Sequence, residues 1–247
     1  DRVYIQTGAS RGLGFATARC LVDDGARVVV SARDPERVAA AVAGLGGPGR
    51  AAGVPADLGD PATPGRLVTE ARTAFGRLDG ALISVGGPPR GTAAGVGDDD
   101  WRAAFESVFL GSVRAARTVA AELGDGGAVG FVLSSSARSP VPGLGISNGL
   151  RPGLAGVAKD MADEYGPRGV RVFGVLPHRI LTDRLRELAG TGPAAERVRA
   201  EAEAAIPLRR AGDPAEFGRV AAFLLSPAAS YLTGLTVPVD GGALRTL

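Results

Sequence analysis

Apolar positions follow two alternating rhythms along this chain. Short runs in which nearly every residue is apolar predict strands at Arg2–Gln6, Arg27–Val30, Ala51–Pro55, Ala81–Val85, Ala128–Leu133, Val170–Leu176 and Leu235–Val239. Of these, Ala51–Pro55 is the weakest, and Gly80 and Gly86 bound the fourth. Between the runs, apolar residues recur at the spacing of one helix face. This predicts helices over Gly12–Asp24, Pro35–Ala43, Pro61–Phe75, Asp98–Leu123, Ile146–Tyr165, Thr182–Ala205 and Asp213–Leu225, the sixth broken at Gly190–Pro193. Local signals agree with these ends. Gly25 stops the first helix, and Asp34 precedes Pro35 as an N-cap before a first-turn proline. Three acids at Asp98, Asp99 and Asp100 suit the positive end of a helix dipole.

Strands apolar on both faces, separated by helices, require a parallel sheet covered on both sides. Right-handed crossovers then give a doubly wound, Rossmann-like α/β sheet of about seven strands. Neither a repeat nor a linker divides the chain, so one domain is expected over residues 1–247. GPPRGTAAGVG (Gly87–Gly97) reads as a long loop after the fourth strand. With 247 residues, 45% of them hydrophobic, the chain can bury one sizeable core. The net charge is +2, the arginines are scattered and aromatics are 5%, which argues against a nucleic-acid partner. A single cysteine, Cys20, rules out an internal disulfide; it reads as a small core residue in a reducing, cytoplasmic setting. No apolar run has membrane-spanning length and no signal peptide opens the chain, so no membrane partner is expected. Because Asp1 leads straight into a strand, a few encoded residues are expected to precede it.

The first strand leads into TGASRGLG, Thr7 to Gly14. Gly8 permits a tight turn, Gly12 lets the backbone approach a pyrophosphate, and Gly14 lets the helix pack on the strand. The free N–H groups and dipole of the helix then face the phosphates. Gly8, Ser10, Arg11, Gly12, Leu13 and Gly14 are therefore candidate cofactor contacts; the alternative is a plain strand-to-helix turn. At the end of the second strand, VVVSARD places Arg33 where an NAD site presents an acid to the ribose. A guanidinium suits a 2′-phosphate. With Arg11 to help, Arg33 favours NADP(H) over NAD(H), while Asp34 is taken up as the helix cap.

With TGASRGLG in place, the chain resembles the short-chain dehydrogenase/reductase family over nearly its whole length. ADL (Ala56–Leu58) is similar to the family segment whose aspartate, here Asp57, lies near the adenine, with Leu58 beside it. VLPHRILTD (Val175–Asp183) resembles the stretch beside the nicotinamide, which adds Thr182 to the candidate contacts. SPAASYLTGLTVPVDGG (Ser226–Gly242) is similar to the C-terminal signature. The resemblance implies a catalytic tyrosine, a lysine four residues later, a serine about thirteen residues before the tyrosine and an asparagine on the preceding long helix. The register of GLAGVAKDMADEYG puts Ser147 at the tyrosine position, Arg151 at the lysine position and Ser134 at the serine position, with Ser135 as the alternative. Val108 stands where the asparagine is expected, and Ile83, Ser84, Val85 and Gly86 replace Asn-Asn-Ala-Gly. GGPPRG and SNGLRPGL resemble an atypical branch in which Ser-Asn-x-x-Arg replaces Tyr-x-x-x-Lys.

Serine is a poor acid at neutral pH, and arginine keeps its proton in a protein. Losing a general acid costs roughly 10²–10⁴ in rate. His178 is the sole histidine and follows Pro177 in the segment beside the nicotinamide, so it is a candidate proton carrier; the alternative is an exposed loop residue. Tyr4, Tyr165, Tyr231 and Trp101 read as packing residues, and Asn148 as a substrate contact or a turn cap. The expectation is an oxidoreductase acting between carbonyl and hydroxyl groups of a small molecule, with Ser134, Ser147, Arg151 and His178 at its centre. Two alternatives stay open: a regulatory or scaffolding homologue that binds cofactor without turnover, and a non-redox cyclase or dehydratase using the Ser/Arg pocket as an oxyanion site. No metal ligand set stands out. The resemblance implies a homotetramer or homodimer through the helices Asp98–Leu123 and Ile146–Tyr165.

Overall fold

The computed structural model describes every residue except 184, 186–189, 191 and 247. Seven strands form one parallel sheet in the order β3-β2-β1-β4-β5-β6-β7. They are β1 (Val3–Thr7), β2 (Arg27–Ala32), β3 (Ala51–Pro55), β4 (Gly80–Ile83), β5 (Ala128–Val132), β6 (Arg171–Pro177) and β7 (Thr236–Val239). The described helices are α1 (Gly12–Asp23), α2 (Pro35–Gly44), α3 (Thr63–Phe75), α4 (Asp98–Ala104), α5 (Gly111–Glu122), α6 (Gly145–Tyr165), α7 (Pro193–Ala204) and α8 (Pro214–Leu225). No helix among the described residues is long and apolar enough to cross a membrane.

The sheet separates two apolar layers. Ile5, Ile83 and Phe131 face one layer with residues of α3, α5 and α6. Tyr4, Val28, Val30 and Phe173 face the other with residues of α1, α2 and α8. Alternate residues of each strand point to opposite faces, so both sets must be apolar, and the sequence runs are continuous for that reason.

The helix ends follow their side chains. Asp34 accepts hydrogen bonds from the N–H groups of Glu36 and Arg37 at 3.0 and 3.2 Å, capping α2. Asp213 and Glu216 form a reciprocal capping box at α8. The hydrogen bond from Arg210, and then the Asp213 N–H, hold the Glu216 carboxyl at about 2. Gly76 ends α3 in the left-handed conformation, φ +76°, returning its N–H to Arg72 O.

Three expectations change. The helix expected over Asp98–Leu123 is α4, a π-helical turn over Phe105–Leu110, and α5. Gly111 lies so close to the loop after β3 that a Cβ there would meet Leu58 O at 2.6 Å. Ser107 and Ser112 donate back to the carbonyls of Ala103 and Val108, a pattern that bends helices. Tyr231 is fully exposed rather than packed in the chain, in the connection between the turn Pro227–Ala229 and β7. Cys20 is half-buried between α1 and α8 rather than in the core. Part of the expected segment Thr182–Ala205 lies outside the described residues; Pro193–Ala204 within it is helical.

Arg171 is buried at the start of β6, and burial lowers its pKa. Its guanidinium donates to the carbonyls of Leu224, Leu225 and Ser226 at 2.7, 3.3 and 3.0 Å. These acceptors end α8, where helix carbonyls lack partners and the dipole is negative. Replacing Arg171 with Met should destabilise the fold by about 3 kcal/mol, since buried acceptors lose their donor. Urea unfolding of both proteins measures this loss.

Candidate active site

The C-terminal ends of the strands open into a cleft of about 940 Å³. It lies where sheet order reverses: β1 pairs with both β2 and β4, so the crossovers on either side leave in opposite directions. The Thr7 hydroxyl closes the floor. It donates to Ser84 O and accepts from Ser84 N–H, both at 2.7 Å, continuing the ladder one residue beyond β4. Gly8 follows at φ +59°, and a Cβ there would lie 2.8 Å from Ser84 O. Gly14 is equally tight, with a Cβ position 2.7 Å from Gly8 O, so the loop folds back on itself as α1 begins. Gly12 faces the Thr182 side chain across the cleft mouth.

Gly8, Ser10, Arg11, Gly12, Leu13 and Gly14 all line this cleft, as do Arg33, Asp57, Leu58 and Thr182. The glycines leave a backbone cradle that side chains would fill, which fits a pyrophosphate. Arg33 is exposed at the end of β2 and has no carboxylate partner among the described residues. Asp34 is engaged by its cap and by an ion pair with Arg37 at 3.2 Å. Asp57 turns its carboxylate onto Gly59 N–H at 2.8 Å, and Leu58 is buried beside it.

The other end of the cleft is built by β5, β6 and α6. Ser134, Ser135, Ser147, Arg151 and His178 line it together. Beyond β5 the chain makes a 3-10 turn, Ser135–Ala137, which sends successive serines in different directions. Ser134 caps that turn by accepting from Ser136 N–H at 3.1 Å. Ser135 Oγ meets His178 Nδ1 at 2.9 Å, and Ser136 Oγ meets Ser147 Oγ at 2.9 Å. Arg151 is buried on α6 and donates through Nη1 to Val132 O at 2.8 Å. Its charge therefore sits beneath the cleft, at the end of β5. Val108 is buried in the π-helical turn facing the same space.

His178 keeps its exposure to the cleft, yet the surrounding protein lowers its pKa by desolvation. The Asp240 carboxylate opposes that shift and the Arg179 charge adds to it. His178 is thus an exposed loop residue that also lines the cleft. Asn148 pairs twice with the Val141 backbone, accepting from its N–H and donating to its carbonyl, both at 2.9 Å. It fixes the connector and does not face the cleft. Tyr4, Tyr165 and Tyr231 do not line it either. The sequence reading missed Arg90, exposed in the loop after β4 on the cleft wall. The loop after a central strand at the crossover reversal was the signal that could have found it. No group of acids, histidine and cysteine among the described residues could hold a metal.

These features define a dinucleotide-binding α/β protein. A family model described as enoyl-(acyl carrier protein) reductase matches residues 8–243. An uncharacterized oxidoreductase of Mycobacterium tuberculosis is 36% identical over 98% of this chain and 92% of its own length. Human dehydrogenase/reductase SDR family member 4 is 34% identical over 98% of this chain and 87% of its own. A short chain oxidoreductase of Pseudomonas aeruginosa PAO1, described as containing an atypical catalytic center, superposes with a TM-score of 0.92 at 28% identity, covering 100% of this chain and 98% of that one. L-sorbose reductase from Gluconobacter frateurii, solved with NADPH and L-sorbose, gives 0.91 at 28% identity over 100% and 97%. The chain belongs to the short-chain dehydrogenase/reductase family.

Gly8→Ala should displace Ser84 or the loop, since a positive φ and a backbone contact act together. The expected cost is on the order of 2 kcal/mol. Thermal unfolding should show it, and titration with nucleotide should show weakened binding.

Proposed function

We propose that this protein is an NADP(H)-dependent oxidoreductase interconverting a carbonyl and a hydroxyl group on a small molecule. The observation that carries the reading is the exposed Arg33, without a carboxylate partner among the described residues, at one end of a cleft whose other end holds Ser134, Arg151 and His178. When bound, a nicotinamide dinucleotide supplies or accepts a hydride. The chain's own residues bind and orient. The loop Gly8–Gly14 takes the pyrophosphate, and Arg33 with Arg11 meets a 2′-phosphate through charge-assisted hydrogen bonds. Arg151 stays charged at any accessible pH and presents a fixed cation at the reacting end. Ser134, whose oxygen accepts from Ser136 N–H, keeps its own proton to donate to a substrate oxygen. The NADPH complex of L-sorbose reductase supports the cofactor part of this reading.

The Ser136–Ser147 hydrogen bond favours a second reading, cofactor binding without turnover, because the residue at the tyrosine position is engaged with a neighbour. NADPH consumption measured against a panel of short aliphatic, aromatic and sugar-derived aldehydes and ketones separates the two. The oxidoreductase consumes NADPH with at least one; a binding homologue holds NADPH and consumes none. Arg33→Ala should weaken NADPH binding about 10–100-fold, the worth of one or two charged hydrogen bonds, and leave NADH binding unchanged. Nucleotide fluorescence titration measures both.

A further inference from the structure

The cleft has a charged end and a set of hydroxyls, yet the residue at the tyrosine position is a serine tied to Ser136. Among the described residues that line it, the candidates for moving a proton near neutrality are few. Arg151 keeps its proton. Serine hydroxyls are too weakly acidic to give one up unaided. Asp34 is committed to its cap and Asp57 to Gly59. Asp100, in the first turn of α4, and Asp183, next to Thr182, also line the cleft and stand exposed, and imidazole rather than carboxylate is the side chain suited to proton exchange near neutrality. His178 remains, and three features set it apart. It lines the cleft, its Nδ1 is 2.9 Å from Ser135 Oγ, and it stands at the end of β6, next to the serine turn that ends β5.

The geometry points to His178 as the residue that exchanges the proton with the substrate oxygen, with Ser135 as the positioning residue that holds its ring through Nδ1. The inference rests on the oxidoreductase reading above. With Nδ1–H donated to Ser135 Oγ, the neutral ring keeps its lone pair on Nε2, the nitrogen left for the cleft. In the oxidation direction the O–H bond of the alcohol breaks and its proton joins Nε2. The alcohol carbon loses a hydride, which an oxidised nicotinamide dinucleotide accepts as two electrons and a proton. In reduction the Nε2–H bond of the imidazolium breaks and its electron pair stays on the ring. The proton goes to the carbonyl oxygen, while the carbonyl carbon gains the hydride from the reduced dinucleotide. Water then reprotonates the ring through the exposed side of the cleft.

The charged groups around the ring set the pH dependence. Burial is the first cause of its lowered pKa; Asp240, just after β7, favours the imidazolium and Arg179, beside it in the chain, opposes it. The Asp240 carboxylate is itself held in place, its two oxygens accepting from Gly242 and Leu244 N–H. The imidazole is therefore mostly neutral at neutral pH. Reduction should fall as pH rises through a midpoint below the ordinary histidine value of about 6.5. Oxidation should rise through that same midpoint and then level off.

The test uses the full chain, His178→Gln and Ser135→Ala. As the sole histidine, His178 gives one imidazole signal in a proton NMR titration with no substrate present. The proposal expects a midpoint below that of free histidine, displaced in Ser135→Ala. It also expects His178→Gln to lose roughly 10²–10⁴ in kcat/KM, the scale of a general acid or base. The variant should lose the pH limb as well, with NADPH binding by fluorescence unchanged. Ser135→Ala should shift the pH profile rather than abolish turnover. An ordinary midpoint that Ser135→Ala does not move overturns the pairing whether or not a substrate is in hand. His178→Gln within threefold of the parent, on a carbonyl from the panel that the parent reduces, overturns the proton role and leaves the oxidoreductase reading standing. NADPH bound but never consumed by the parent overturns both.

Discussion

A single hydroxyl governs the architecture of this site. Thr7 both donates to and accepts from the backbone of Ser84, so β1 and β4 are held together where their own ladder has ended. Without it the two chains would part at Ile83, since one leaves for α1 and the other for the loop toward α4. The clasp fixes the separation of the two mouths, and everything above it inherits that distance. Gly8 has to pass under Ser84 O, which leaves no space for a Cβ. Gly14 then has to pass over Gly8 O for α1 to pack on the sheet. A backbone cradle results because side chains have been excluded from it, and a helix dipole finishes it.

At the other end, stability and chemistry are arranged differently. Arg151 is a buried cation whose Nη1 is fastened to a strand-end carbonyl. A charge in such a place is tolerated only with good partners. The serine turn keeps the surroundings polar without adding a second charge. Its three hydroxyls serve three tasks: Ser134 caps the turn, Ser135 meets His178 and Ser136 meets Ser147. Charge that stays fixed and a ring that titrates are separated into different residues.

The sheet was legible because parallel strands covered on both faces are apolar at most positions, and these are, with Gln6, Thr7, Ser31 and Arg171 among the buried exceptions. The helix starts at Asp34 and Asp213 were legible for an equally local reason, since the capping acid sits next to the proline. The π-helical turn was not. Gly111, just past its end, lies against Leu58 O, a neighbour far away in the chain, and the apolar spacing across the turn still reads as one helix. Tyr231 was misread because an aromatic before an apolar strand looks like core, whereas it lies in the connection ahead of β7 and is exposed in the chain. At the site, the glycine loop and Arg33 could be placed by counting from a strand. The serines could not be sorted that way. A 3-10 turn rotates about 120° per residue, so Ser134, Ser135 and Ser136 point apart, and counting cannot say which one meets a partner on β6. Nor does spacing reveal that His178 meets Ser135; that depends on β6 lying beside β5.

The paired hydrogen bonds between Asn148 and Val141 have a consequence for how a ligand is received. The side-chain amide copies the double pairing of a backbone strand, so the connector between the serine turn and α6 is held as firmly as a piece of sheet. Val141 and Leu144 therefore form a wall whose shape exists before anything arrives. The freedom of that segment is surrendered when the chain folds, not when a guest enters. Selection along this wall becomes a question of contour, closer to a mould than to a closing hand.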